Sequence, residues 1–174
     1  MKFRVGMVLC AALCASPVTT SAKTADPESA AAGTFCDGLR SAVAAQLAGS
    51  DAVFIRSYQA GADEANLPDG LKTTAFVYDN ALAVIALIAC GDLPGAKSVG
   101  NALHLATRSD RTFDDGRVRN AYRAGPVGER PPNLPGWWDA RANIWAEDPA
   151  QDGTSTGNIA WGGLGAPGTT RSDP

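Results

Sequence analysis

The chain has 174 residues, a formal charge of −3, 45% hydrophobic and 19% charged residues. That acidic balance excludes the basic face of a nucleic-acid binder, so no nucleic-acid partner is expected. After the N-terminus no apolar run reaches the ~20 residues of a membrane span, and the length suits one domain around one core.

Residues 1–22 carry Lys2 and Arg4, then an apolar run over 5–15, then Thr20-Ser21-Ala22. A basic start, a short apolar middle and a small-residue cleavage site are the order of a secretory signal peptide. Cleavage after Ala22 leaves 152 residues, removes Lys2 and Arg4 but no acidic residue, and moves the charge to −5. The expected location is therefore secreted or periplasmic. Residues 23–32 are polar and alanine-rich, and read as a flexible leader. Cys10 and Cys14 leave with the signal, so Cys36 and Cys90 remain. An oxidising compartment permits a disulfide between them. Each also sits in an apolar helical pattern and suits a small buried hydrophobe, and the sequence leaves both readings open.

Phe35, Leu39, Val43 and Leu47 recur every four residues and predict a first helix, with Thr34 as N-cap and Gly49 as its stop. Residues 51–72 read as connection, with a short apolar piece (Val53, Phe54, Ile55) and the turn signal Leu67-Pro68-Asp69-Gly70. Thr73 or Thr74 then caps a second helix containing Phe76, Val77, Ala81, Leu82, Val84, Ile85, Leu87 and Ile88. It is apolar nearly all round and should be buried on several sides. Gly91 ends it, and Asp92 caps a third helix with Pro94 in its first turn. So short a link makes these two an antiparallel helical hairpin. His104, between Leu103 and Leu105, reads as structural.

Residues 109–152 hold five prolines together with Trp137, Trp138 and Trp145. Forty-four residues of that composition are too many for a neutral connector. A fourth helix is expected from Thr154 or Thr156 through Ile159, Trp161 and Leu164, weakened by its glycines. Residues 165–174 read as a disordered tail.

Four strings bear on chemistry. Tyr78-Asp79-Asn80 opens the second helix, where exposed N–H groups favour a carboxylate. Residues 114–122 place Arg119, Asn120 and Tyr122, which can bond hydroxyls, after an Asp115-Gly116 turn. Trp137-Trp138-Asp139 and Trp145-Ala146-Glu147-Asp148 put indoles beside carboxylates. Indole faces stack on pyranose C–H faces, and carboxylates accept hydroxyl protons or act as acid and base on a glycosidic bond. Residues 151–161 form a glycine-bearing turn into a helix, without the Gly-Lys-Ser/Thr of a phosphate loop. Residues 153–157 spell Gly-Thr-Ser-Thr-Gly, but no nucleophile–histidine pairing is expected. Two cysteines and one histidine make no zinc signature. Neither a metal nor a cofactor is expected.

Together, Tyr78-Asp79-Asn80-Ala81-Leu82, the Gly91-Asp92 turn, residues 116–122, Pro135-Gly136-Trp137-Trp138-Asp139, Trp145-x-Glu147-Asp148 and residues 156–161 resemble exported bacterial six-hairpin glycosidases. The resemblance covers residues 75–164. It implies an all-α fold: antiparallel helical hairpins of an incomplete (α/α)6 toroid over residues 33–164, with long aromatic-rich loops. It also implies glycoside-hydrolase-like chemistry on an oligo- or polysaccharide, with Asp79, Glu147 and Asp139 as candidate catalytic carboxylates. Tyr78, Asn80, Asn120, Tyr122, Trp137, Trp138, Trp145 and Asn158 are the candidate sugar-binding residues. A full toroid has twelve helices and about four are legible, so the expectation is an N-terminal fragment of such an enzyme with exposed apolar surface and no activity alone. The alternatives are a non-catalytic sugar-binding module and a tetratricopeptide-like helical scaffold, although no second hairpin follows at a 34-residue offset.

Overall fold

A computed structural model describes residues 27–166, apart from residues 60 and 129. The expected signal peptide, residues 23–26 of the leader and residues 167–174 of the tail lie outside the described residues. In chain order the elements are α1 (Pro27–Leu47), β1 (Val53–Phe54), a 3₁₀ turn (Gly61–Asn66), α2 (Asp69–Lys72), β2 (Thr74–Phe76), α3 (Val77–Ala89) and α4 (Leu93–Arg108), then β3 (Ala121–Arg123), β4 (Gly125–Pro126), β5 (Gly136–Asp139), β6 (Ile144–Glu147) and α5 (Thr156–Gly165).

The all-α expectation is corrected by this order. Among the described residues about half are helical, but three two-stranded antiparallel sheets make the fold mixed α and β. β1 pairs with β4, β2 with β3, and β5 with β6. The physical reason lies in length. Strands of two to four residues are too short for alternation to register as a period, and two of the pairings join segments far apart in sequence. Thr74 shows the error in detail. It does not cap a helix; it lies in β2 opposite Arg123, with its hydroxyl donating to the Gly70 carbonyl at 2.7 Å.

The helical hairpin forms as its local chemistry dictates. Gly91 takes φ +73°, a left-handed conformation that suits glycine. The Asp92 carboxylate accepts from the Gly95 amide at 3.0 Å, and Pro94 occupies the first turn of α4. Val77, Ala81, Val84 and Leu87 of α3 and Ala96, Val99, Leu103 and Ala106 of α4 are buried in one core cluster. α5 packs against this pair through two glycines. A Cβ at Gly165 would lie 2.7 Å from the Leu103 side chain and 2.9 Å from the Ala81 backbone. Its cap position is Ser155, without a side-chain bond, while the Thr154 hydroxyl donates to the Val118 carbonyl at 2.7 Å.

α1 starts at Pro27, inside the stretch read as a leader, and Thr34 is an interior residue whose hydroxyl bonds the Ala30 carbonyl. The helix ends where Ala48 and Gly49 both take positive φ. Val43 is buried and Leu39 and Leu47 pack at the core margin, but Phe35 is 61% exposed. What fastens this end of α1 is covalent: Cys36 and Cys90 form a disulfide, and Arg40 donates to the Cys90 carbonyl at 2.5 Å. α3 is not enclosed on all sides either. Tyr78, Leu82, Ile85 and Ile88 remain exposed. No described helix is long and apolar enough to cross a membrane.

Candidate functional site

The tryptophan-rich stretch is a β-hairpin. Register pairs Gly136 with Glu147, Trp137 with Ala146, Trp138 with Trp145 and Asp139 with Ile144. Because side chains alternate across a strand, Trp138, Trp145 and Glu147 share one face, and Trp137 and Asp139 share the other. Gly136 is required at the base, since a Cβ there would run into the Ala146 carbonyl. Thr73 pins the same point to the core: its hydroxyl accepts from the Gly136 amide at 3.0 Å and donates to the Gly136 carbonyl at 2.6 Å. At the other end, the Asp139 carboxylate accepts from the Arg141 and Ala142 amides at 2.9 and 3.1 Å, and Asn143 closes the turn with φ +54°.

The three hairpin tryptophans differ in environment. Trp145 is partly buried, its indole N–H donates to the Leu134 carbonyl at 3.1 Å, and the Arg123 guanidinium lies 4.0 Å from its ring centroid. Trp137 and Trp138 are 38% and 56% exposed. Glu147 is held by Arg111 through two bonds of 2.8 and 2.5 Å. That clamp is the main cause raising the Arg111 pKa above its ordinary value, against the opposing effect of burial.

Beside the hairpin lies a buried ion pair. Arg119 donates to Asp110 at 2.6 and 2.9 Å, to the Asp152 carbonyl at 3.0 Å and to the Thr112 hydroxyl at 3.3 Å. Burial pushes the Asp110 carboxyl up, but bonds from Arg119 and from the Thr112 and Phe113 amides outweigh it, and its pKa falls below 3.8. Tyr122 stacks on Phe54 at 5.0 Å, and its hydroxyl accepts from the Arg119 amide at 3.1 Å. Burial pushes that phenol up to about 12.

The remaining candidates fall elsewhere. The Asn80 side chain is buried, bonding Ile55 through both its amide and carbonyl and donating to the Phe76 carbonyl. Asn120 accepts from the Asn158 side chain at 2.6 Å, joining β3 to the start of α5. Tyr78 is exposed and meets Trp161 edge-on at 5.3 Å. Asp79 lines a shallow groove with Phe35, Leu39, Leu82, Ala83 and Ala86, and no hairpin residue lines it. The structure thus gathers Trp138, Trp145 and Glu147, and sets Asp79 apart from them. Arg111, Arg119, Arg123, Asp110 and Thr73 support the site without having been singled out as such. Only Arg119 lay within a string of interest, because partners 9 to 63 residues away leave no spacing signal.

Comparison of the chain with protein-family models, curated proteins and solved structures finds no match.

Proposed function

We propose that this chain is an exported carbohydrate-active protein of the glycoside-hydrolase kind, with the β5–β6 hairpin as its sugar platform. One observation carries the reading: Trp137 and Trp138 stay 38% and 56% exposed, one on each face of a ribbon that Thr73 pins at its base. Rigid exposed indoles favour stacking on the C–H face of a pyranose, and the neighbouring carboxylates favour its hydroxyls. Export to the periplasm or medium is supported by the signal-like N-terminus and by the Cys36–Cys90 disulfide, which persists in oxidising compartments. The exposed apolar face of α3 supports the further reading that this unit is part of a larger glycosidase-like enzyme.

Binding of neutral and acidic oligosaccharides, measured by calorimetry, tests the platform. Trp138→Ala should weaken binding about tenfold, in line with ~1–3 kcal/mol for a stacked ring, while Trp137→Ala, on the opposite face, should leave it unchanged. Unchanged affinity in Trp138→Ala rejects the platform. A non-catalytic sugar-binding module is the second reading. It is favoured by the engagement of Glu147 with Arg111 and of Asp139 with turn amides. Asp79→Asn and Glu147→Gln separate the two readings: hydrolysis is lost if they act on the bond, and binding persists if they do not.

A further inference from the structure

A groove of about 540 Å³ opens between α1, the segment after β1, α2 and the β3–β4 strands. Arg56, Lys72 and Arg123 line it together with Gln46 and Gln59, and among the described residues no carboxylate does. The contrast matters in a chain with 18 acidic and 15 basic residues. A concave site lined by one sign of charge focuses the potential within it. Two of the cations are already committed. Arg56 donates to Glu64 at 2.6 Å, and Lys72 donates to Asp69 at 2.7 Å. Arg123 differs: among the described residues its guanidinium has no ion pair, and it is held by stacking on Trp145.

That stacking fixes the location of the groove relative to the platform. Trp145 is the cross-strand partner of Trp138, and directly opposed residues of a ladder lie about 5 Å apart. Thr73, which also lines the groove, bonds the base of the same hairpin. The volume lies within the ~300–1,000 Å³ of small-molecule sites. A guanidinium with free donors recognises a planar carboxylate through two parallel bonds.

We propose that this groove is an acidic-sugar subsite, in which Arg123 takes the carboxylate of a uronic acid while the adjoining ring rests on Trp138. Arg56 and Lys72 stay paired with Glu64 and Asp69, so Arg123 is the charge that reads the ligand, and Gln59 meets ring hydroxyls. The proposal rests on the sugar-platform reading and names its substrate class.

The test compares tetragalacturonate with its fully methyl-esterified, uncharged counterpart on the full chain by calorimetry. The acid should bind at least about tenfold more tightly than the ester, the scale of a charge-assisted bond pair. Its affinity should fall as NaCl rises from about 0.05 to 0.5 M while that of the ester stays level. Arg123→Gln should remove the preference for the acid and leave the ester unaffected, with near-UV circular dichroism confirming an intact fold. The salt series on the unsubstituted protein gives the answer if that variant does not fold. Equal affinity for acid and ester, or no binding of the acid, overturns the proposal. Equal affinity with loss of both in Trp138→Ala leaves the platform standing and removes only the acidic subsite.

Discussion

Replacing Asp110 by Asn is the sharpest probe of how the site is held. The side chains of Arg119 and Asp110 are 9% and 4% exposed, and they exchange two bonds of 2.6 and 2.9 Å. Asn keeps the shape and can still accept from the Thr112 and Phe113 amides, which now bond Asp110 at 2.8 and 3.0 Å. It cannot neutralise the guanidinium. Breaking a buried pair by removing one charge costs about 3–5 kcal/mol, and the retained amide bonds place this case near ~3 kcal/mol. Against a total of ~5–15 kcal/mol for a domain, that is a large share. It should lower the melting temperature by roughly 10 °C. The sign with pH follows from the depressed Asp110 pKa. Its contribution is present above the ordinary value of 3.8 and is lost as pH falls through the lower folded value. The variant should therefore show a shallower loss of stability below about pH 4 than the parent. Urea unfolding followed by circular dichroism at pH 7 and at low pH measures both effects. The double substitution Asp110→Leu with Arg119→Met should recover part of the loss, because no buried charge remains. A single Asn variant within ~0.5 kcal/mol of the parent at pH 7 would refute the assignment of this pair as a structural fastening.

Opening the Cys36–Cys90 bridge by replacing both cysteines with serine releases a 54-residue separation, which the chain-entropy relation values at roughly 4 kcal/mol; a melting temperature unmoved by the substitution, or by a reductant on the parent, counts against the bridge. Gly136→Ala should cost about 1–3 kcal/mol and loosen the hairpin, because its Cβ meets the Ala146 carbonyl; tryptophan fluorescence and urea unfolding report it, and a parent-like variant contradicts the register. Tyr122 is neutral in the fold up to about 12, so its contribution is whole below pH ~10 and is lost as pH rises through 12. Two pKa units correspond to about 3 kcal/mol, and a stability that stays level between about pH 9 and 12 denies the burial of the phenol.

The sequence is most readable where local chemistry decides structure. Gly91, Asp92 and Pro94 specify a helix stop, a cap and a first turn, and the α3–α4 hairpin follows. It is least readable where distant partners decide. Val53–Phe54 becomes a strand only because Gly125–Pro126 lies beside it, and Thr74–Phe76 only because Ala121–Arg123 does. A three-residue ladder carries no period of its own, so these threonine and aromatic residues read as cap and helix. The site divides the same way. The tryptophans were conspicuous by composition, whereas Arg111 meets Glu147 across 36 residues and Arg123 meets Trp145 across a break between sheets. Asn80 and Tyr122, polar residues inside conspicuous strings, turn out to bond the backbone of the core.

Strand parity then decides which carboxylates can act together. With residues 135–148 read as a loop, Asp139 and Glu147 look equally able to flank one glycosidic bond. As a ladder, Glu147 stands opposite Gly136, three residues from Asp139. Three steps at ~3.4 Å separate the two carboxylates by about 10 Å along the ribbon, and the odd step puts them on opposite faces. Retaining pairs lie about 5 Å apart and inverting pairs about 6.5–9.5 Å, on either side of the same bond. Asp139 and Glu147 therefore do not form such a pair in this arrangement. Glu147 shares a face with Trp138, and Arg111 clamps its carboxylate. Both of its oxygens accept from Arg111, at 2.5 and 2.8 Å, so that clamp must open before Glu147 can act on a leaving group. Hydrolysis on the Trp138 face thus requires either that opening or a proton donor from outside the ribbon, whereas sugar binding on that face requires neither.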